Sequence, residues 1–418
     1  MTPEVLLRGL FAKAVEVADP MRSLPKFLPE KPKGRVLVVG AGKASARMAE
    51  AVEAVWGPCE GLVITRYGYG RLCQGIEIAL AAHPVPDRAG LDATERMLTM
   101  LRGLGPDDFV LALMSGGASA LLVAPVEGVS LAEKQAVTAA LLASGAPIAQ
   151  MNTVRKHLSR VKGGQLAAAA FPARMLALMI SDVPGDDMAF IGSGPTVGDA
   201  SSVADARAVL QRWQVPVPAS VTAALQRASG VVPPGDPCLA RVTNRIFAAP
   251  RQSLQAAADM ARAAGCEVDI LGDALEGEAR DVAADQARLA LTRQASRRPG
   301  DPPLILLSGG ELTVTRRGDG LGGPNAEFCL ALALELRGTP GIHALACDTD
   351  GVDGAAEVAG AVVGPQTLAK ARGRGADASA ALARNDAHGF FGAIEDQVVT
   401  GPTLTNVNDF RAIWIASD

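Results

Sequence analysis

Aromatic side chains make up only 4% of the 418 residues, so the interior must be built mainly from alanine, valine and leucine. The six cysteines (59, 73, 238, 266, 329 and 347) include no Cys-x-x-Cys pair and no Cys/His grouping with zinc spacing. With 49% hydrophobic residues the chain has a core of its own and needs no disulfide framework, so reduced thiols are expected. Charge of one sign is also lacking: 40 Lys and Arg stand against 44 Asp and Glu, a net −4 that gives no general attraction for nucleic acid or an anionic membrane. No apolar run is long enough to span a bilayer. The segment 2–17 carries Glu4, Arg8, Lys13 and Glu16 among its apolar residues, which suits an amphipathic helix and not a signal peptide. A soluble, cytoplasmic protein is expected, and its length predicts two domains.

What is present is a stretch around which the chain is organised, Val36-Leu-Val-Val-Gly-Ala-Gly-Lys-Ala-Ser45. A buried-strand signal runs into Gly40 and Gly42, and a helical pattern begins at Lys43. Such a turn leaves backbone N–H groups at the positive end of a helix dipole, which predicts an anion site at Gly40, Gly42 and Ser45 with Lys43 as a mobile charge. Strands near 61–66, 76–81, 108–114 and 175–180 alternate with helices, so a doubly wound parallel α/β sheet is predicted. Ligands in such sheets sit beyond the carboxyl ends of the strands, and the motifs fall there. Among them are His83–Asp87 and Ser115-Gly-Gly-Ala-Ser119, the latter offering Ser115, Gly116, Gly117 and Ser119.

Arg155, Lys156, Arg160 and Lys162 are concentrated after Asn152-Thr153, which read as helix-start residues, and the group is read as an anion clamp. The strand at 175–180 leads into Ser181-Asp-Val-Pro-Gly-Asp-Asp187 and then Gly192-Ser-Gly194. Carboxylates beside a donor-rich glycine loop suit a divalent cation shared with phosphate, and Asp182 and Asp186 are the candidates. Prolines crowd 214–240, where a domain boundary is predicted, giving domains 1–235 and 240–418; strand 245–248 would open the second. That half carries Ser308-Gly309-Gly-Glu311, Gly322-Gly-Pro-Asn325-Ala-Glu327 and Asp348-Thr-Asp350-Gly-Val-Asp353, the last read as a substrate or magnesium site.

Taken together, Val39–Ala44, His83–Asp87, Ser115–Leu121, Asn152–Ser159, Ser181–Asp186, Gly192–Thr196, Ser308–Glu311 and Asp348–Gly354 resemble the glycerate 2-kinase (MOFRL) family over nearly the whole chain. The resemblance implies a Rossmann-like N-terminal domain, a C-terminal α/β MOFRL domain, an active site in the cleft between them, and Lys43 as an active-site residue. It also implies phosphorylation of D-glycerate at the 2-hydroxyl by ATP. One position departs: the family's Gly-Gly-Arg-Asn-Gln-Glu has Pro324 in place of the arginine. Proline cannot bind an anion, so either Arg155 or Arg160 supplies that charge or the substrate preference differs.

Some members of the family carry the label hydroxypyruvate reductase, and the sequence speaks to that alternative. The end of the second strand reads Thr65-Arg66, with no acidic residue for the ribose hydroxyls of NAD, although an arginine could hold the 2′-phosphate of NADPH. Of the 4 histidines only His157 lies in a basic motif. A lysine in a glycine turn, Ser/Gly loops and loop carboxylates are instead what phosphoryl transfer needs. The kinase reading therefore places D-glycerate on Ser115, Ser119, Arg155, Lys156 or Arg160. ATP falls to Gly40, Gly42, Ser45, Gly116, Gly117, Gly192, Gly194, Gly309, Glu311 and Asn325, and Mg²⁺ to Asp182, Asp186, Asp350 and Asp353, with Lys43 and Asp186 catalytic. A monomer or homodimer is expected, and a non-enzymatic sugar-acid sensor is the weakest alternative.

Overall fold

The computed structural model describes residues 1–416 and divides into two compact units. The N-terminal unit is Pro20–Phe247; the C-terminal unit joins Met1–Asp19 to the chain from Ala248 onward.

The N-terminal unit is built on β1 (Val36–Ala41), β2 (Glu60–Arg66), β3 (Ile76–Ala81), β4 (Phe109–Met114), β5 (Arg174–Ile180) and β6 (Val242–Ala248). They lie in the order β3-β2-β1-β4-β5-β6, and β1 pairs in parallel with both β2 and β4. Chain order reverses between β1 and β4, so the ends of those strands open where doubly wound sheets bind ligands. Every residue of β1 and of β4 is buried because helices cover both faces, which is why these strands read as continuous apolar runs.

The two glycines of the first turn are required by packing. A Cβ on Gly40 would lie 2.4 Å from the Leu113 carbonyl oxygen, and one on Gly42, whose φ is +140°, would lie 2.1 Å from Ser115 Oγ. Gly42→Ala is expected to destabilise this unit by about 2–3 kcal/mol, read as a lower urea midpoint for its unfolding.

The proline-rich segment read as a boundary lies inside this unit. Val215, Val221 and Leu225 share a hydrophobic cluster with Val137, Leu141 and Leu158. Likewise β6 completes the first sheet at its edge and does not open the second. The Met175 N–H donates to the Arg241 carbonyl (3.0 Å), and Thr196 Oγ1 donates to Asn244 Oδ1 (2.7 Å).

The C-terminal unit contains β7 (Glu267–Gly272), short strands β8 (Gly277–Glu278) and β10 (Leu312–Thr313), β9 (Leu304–Gly310), β11 (Ile342–Asp348), β12 (Gly360–Val363), β13 (Gln397–Val398) and β14 (Asp409–Ile415). The main sheet runs β13-β12-β11-β14-β9-β7 and is mixed: β14 is antiparallel to both β11 and β9, while β7 and β9 are parallel. Helix Pro3–Ala18 belongs to this core. Leu6, Leu7, Leu10, Phe11 and Ala14 pack with Leu254, Ala257, Ala258 and Ala261, and Ser253 Oγ donates to the Ala14 carbonyl (2.8 Å).

Candidate active site

The glycine turn after β1 is stitched to the turn after β4. Gly42 N–H donates to the Ile64 carbonyl (3.1 Å), Lys43 N–H to the Gly116 carbonyl (2.8 Å) and Ala44 N–H to Ser115 Oγ (3.0 Å). Ser45 Oγ donates to the Leu113 carbonyl (3.0 Å) and lies 3.3 Å from Ser115 Oγ. These donors were expected to cradle a phosphate; the fold uses them internally, and the wholly buried Ser45 and Ser115 form a clip between strands. What the turn presents is the Lys43 side chain. Its Cγ and the His83 imidazole flank the place where a Cβ on Gly117 would sit, at 3.2 and 3.1 Å.

Beside Gly117 opens a cavity of about 720 Å³ within the N-terminal unit. His83–Pro86, following β3, and Gly117, Ser119 and Ala120, following β4, form one side; helix Leu131–Ala143, Arg155 and Lys162 form the rest. Three cations line it, and no carboxylate among the described residues does. Lys162 is fully buried and donates to the carbonyls of Ser119 (2.9 Å), Leu122 (3.1 Å) and Gly192 (3.5 Å), which ties the two glycine turns together. Lys134 donates to the carbonyls of Leu158 (2.8 Å) and Arg155 (3.4 Å). Among the described residues no carboxylate pairs with the Arg155 guanidinium, so Arg155 is the cation with donors to offer a ligand. Burial lowers the pKa of Arg155 and, more strongly, of Lys162.

Ser119 Oγ lies 2.8 Å from Ser193 Oγ, which donates to Asn152 Oδ1 (3.0 Å). Ser119 therefore donates to Ser193 and keeps only acceptor capacity, which matches a ligand hydroxyl and not a phosphate oxygen.

Burial, with Arg155 adding to it, lowers the Lys134 pKa to about 7. Between that value and the ordinary 10.5, the unfolded chain binds the proton that the folded chain lacks. The cost to folding is therefore greatest below pH 7 and fades as pH rises through that window. An anion beside Lys134 should raise its pKa, so sulfate binding at about pH 7.5 is expected to take up a fraction of a proton. Calorimetry in buffers of different ionisation enthalpy reads the uptake, and Lys134→Met should abolish it.

The basic group after residue 152 does not act as one clamp. The helix there is Ile148–His157, so Arg155 and Lys156 occupy its last turn and not its first, and positive φ at Gly163 and Gly164 separates it from the next helix. Lys156 is buried against Asp199 and stacked 5.6 Å from the Phe190 ring. Arg160 pairs with Glu95 and donates to the Pro125 carbonyl (2.9 Å), facing a different groove. Of this group Arg155 and Lys162 line the cavity, and Lys162 spends its donors on backbone carbonyls. Gly192 and Gly194 are buried with positive φ, and Gly194 accepts the Gly164 N–H (2.8 Å), so they too shape the fold.

In the C-terminal unit the expected ligands are largely structural. The Asp353 carboxylate accepts the N–H groups of Asn325 (3.0 Å) and Ala326 (2.8 Å) at the start of helix Pro324–Leu336 and pairs with His388 Nε2 (3.0 Å). It serves as a buried helix-terminal anion and not an open metal ligand. Asn325 Nδ2 also donates to Asp409 (2.7 Å), and the Gly309 carbonyl accepts from Arg411 (2.6 Å). Asp350 is buried and accepts the Val352 N–H (2.8 Å), whereas Glu311 is exposed.

No group of three or more His, Cys, Asp or Glu side chains forms a metal cage among the described residues. Magnesium needs only one or two carboxylates, with phosphate and water completing its shell. Asp186 fits that requirement: its φ is +57°, and its Oδ1 is buried without a hydrogen-bond partner, in the same loop as Asp182. No helix among the described residues is long and apolar enough to cross a membrane.

Sequence reasoning missed Lys134, and it read Lys162 as part of an anion clamp where the structure spends its ammonium on three backbone carbonyls. Lys134 was detectable, since it shares the i, i+3, i+7 stripe of its helix with buried Val137 and Leu141, where a charge is out of place.

Residues 6–226 match the model of a domain of unknown function (DUF4147), and residues 304–409 match the MOFRL family. A "putative hydroxypyruvate reductase" of Agrobacterium vitis is 50% identical over 98% of this chain and 94% of its own length. The "D-glycerate 2-kinase" of Thermotoga maritima is 37% identical over 95% of this chain and 94% of its own. A crystal structure of glycerate kinase from Thermotoga maritima superposes with a TM-score of 0.88 at 36% identity, covering 99% of this chain and 100% of the other.

Proposed function

The chain belongs to the glycerate kinase family, and we propose that it transfers the γ-phosphoryl group of ATP to the 2-hydroxyl of D-glycerate, giving 2-phosphoglycerate and ADP. The observation that carries this reading is the carboxylate-free, cation-lined cavity at the ends of β3 and β4, with Lys43 beside it at Gly117. Phosphoryl transfer asks the protein mainly to hold anions and neutralise the charge that spreads over the transferred group. The Lys43 ammonium is a point charge and hydrogen-bond donor for those oxygens. Arg155 grips a carboxylate or phosphate with its planar fork, and it is the cation left to stand in for the family arginine replaced by Pro324, because Arg160 is bound to Glu95. Ser119 Oγ accepts a hydrogen bond from a hydroxyl of the acid and so helps aim the acceptor oxygen. Asp186, with Asp182, would hold Mg²⁺, which when bound neutralises phosphate charge. The cytoplasm supplies ATP and keeps the thiols reduced.

The reductase alternative is disfavoured by the same turn. A dinucleotide fold holds its pyrophosphate on the N–H groups after the first strand, and here those of Gly42, Lys43 and Ala44 are bound within the protein. Incubation with D-glycerate and MgATP is expected to release ADP, whereas hydroxypyruvate with NADH or NADPH should give no loss of absorbance at the nicotinamide band. The converse pair of results would overturn the kinase reading.

A further inference from the structure

The cavity beside Gly117 has two unlike halves, and a three-carbon acid accounts for only one of them. At about 720 Å³ it falls in the range of about 300–1,000 Å³ that encloses drug-sized ligands, so a small acid would leave most of it to water. One half is the cation end already described. The other is apolar: Ala132, Ala136 and Ala139 succeed one another on the exposed face of helix Leu131–Ala143, and no long polar side chain covers them. At its rim Val85 and Leu142 are 60% and 57% exposed. Covering these side chains with a flat apolar group would remove their surface from water. Among the described residues two uncharged polar side chains enter this half: Gln135 gives one of its two Nε2 hydrogens to the Pro86 carbonyl (2.6 Å), and Thr138 Oγ1 donates to the Lys134 carbonyl (2.9 Å). The Gln135 amide oxygen and the Thr138 hydroxyl oxygen remain as acceptors for an exocyclic amino group, and the second Gln135 N–H as a donor for a ring nitrogen.

Resting on the kinase reading, we propose that this cavity is the nucleotide site, with the adenine of ATP on the Ala132–Ala136–Ala139 face and the phosphates running past Arg155 and Gly117 toward Lys43. The lining fits that direction: the helix supplies the exposed alanines, Arg155 supplies a guanidinium, and Gly117, where a Cβ would crowd His83 (3.1 Å) and Lys43 Cγ (3.2 Å), brings the cavity up to Lys43. The acceptor acid is then met at the Lys43 end, where Ser119 can receive its hydroxyl.

The test compares wild type with Ala136→Trp, which fills the apolar half, and Leu142→Asp, which charges its exposed rim. Far-UV circular dichroism and melting confirm folding, and Leu142→Asp is an exposed change that leaves the core untouched. Calorimetry with MgADP should show affinity lost by about tenfold or more in each variant, while the KM for D-glycerate stays within about twofold of wild type. Unchanged MgADP affinity in both variants would overturn the location and leave the kinase reading standing. An equal rise in the KM for D-glycerate would assign the cavity to the acid and also overturn it. Wild type that neither binds MgADP nor phosphorylates D-glycerate would remove both.

Discussion

Lys43→Ala is expected to lower kcat by about 10²–10³-fold while the folded structure and melting temperature change little. The backbone at Lys43 is fixed by its N–H bond to Gly116, so the side chain leaves a rigid turn and not a mobile loop. The stitching bonds of that turn involve backbone groups and Ser45 and Ser115, none of which the substitution removes. An ammonium that acts on charge developing in the transition state should show its loss in kcat more than in either KM. Lys43→Arg should recover only part of the rate, because a planar guanidinium cannot reproduce a point charge at the same place. Steady-state kinetics with both substrates varied, beside circular dichroism, decides the matter. Near-normal turnover in Lys43→Ala would remove this residue from the mechanism.

The largest expected effect on stability lies in the other unit. Arg411 is wholly buried in the middle of β14, where it donates to Asp409 Oδ2 (3.0 Å) and to the carbonyls of Gly309 (2.6 Å) and Gly310 (3.2 Å). Burial raises the Asp409 carboxyl to about 6 even with this guanidinium beside it. Arg411→Met would strand that carboxyl and leave the β9 carbonyls without their donor. A loss of about 3–5 kcal/mol is expected, seen in urea as earlier unfolding of the C-terminal unit. Adding Asp409→Asn should return much of the loss, because the stranded charge is gone while the amide oxygen can still accept from Asn325 Nδ2. If the single and double variants unfold together at the wild-type midpoint, the buried pair contributes nothing to this sheet.

Much of the N-terminal unit was legible because its signals are local. A four-residue apolar run followed by Gly40 and Gly42 specifies strand, tight turn and helix, and the structure has all three. Where the donors of that turn point was not legible, since it depends on Ser115 and Gly116, some seventy residues away, closing against it. The basic residues 155–162 show the same limit: neighbours in sequence separate in space, Arg155 and Lys162 going to the cavity, Lys156 to Asp199 and Arg160 to Glu95. The carboxylates of Asp350 and Asp353 looked like ligands because sequence shows their number and not the N–H groups they receive. Strand β14 was not assigned, because Asp409 and Arg411 interrupt the apolar pattern that marks a buried strand, and it is their pairing, with Asn325 and the β9 carbonyls, that allows them inside.

Phosphorus NMR of the wild-type protein with D-glycerate and MgATP tests the central claim most directly. Growth of a 2-phosphoglycerate resonance matched by the appearance of ADP, and absent in Lys43→Ala, is the predicted result. A mixture that keeps its ATP resonances unchanged, or that yields ADP and free phosphate with no phosphorylated acid, would contradict phosphoryl transfer to glycerate by this chain.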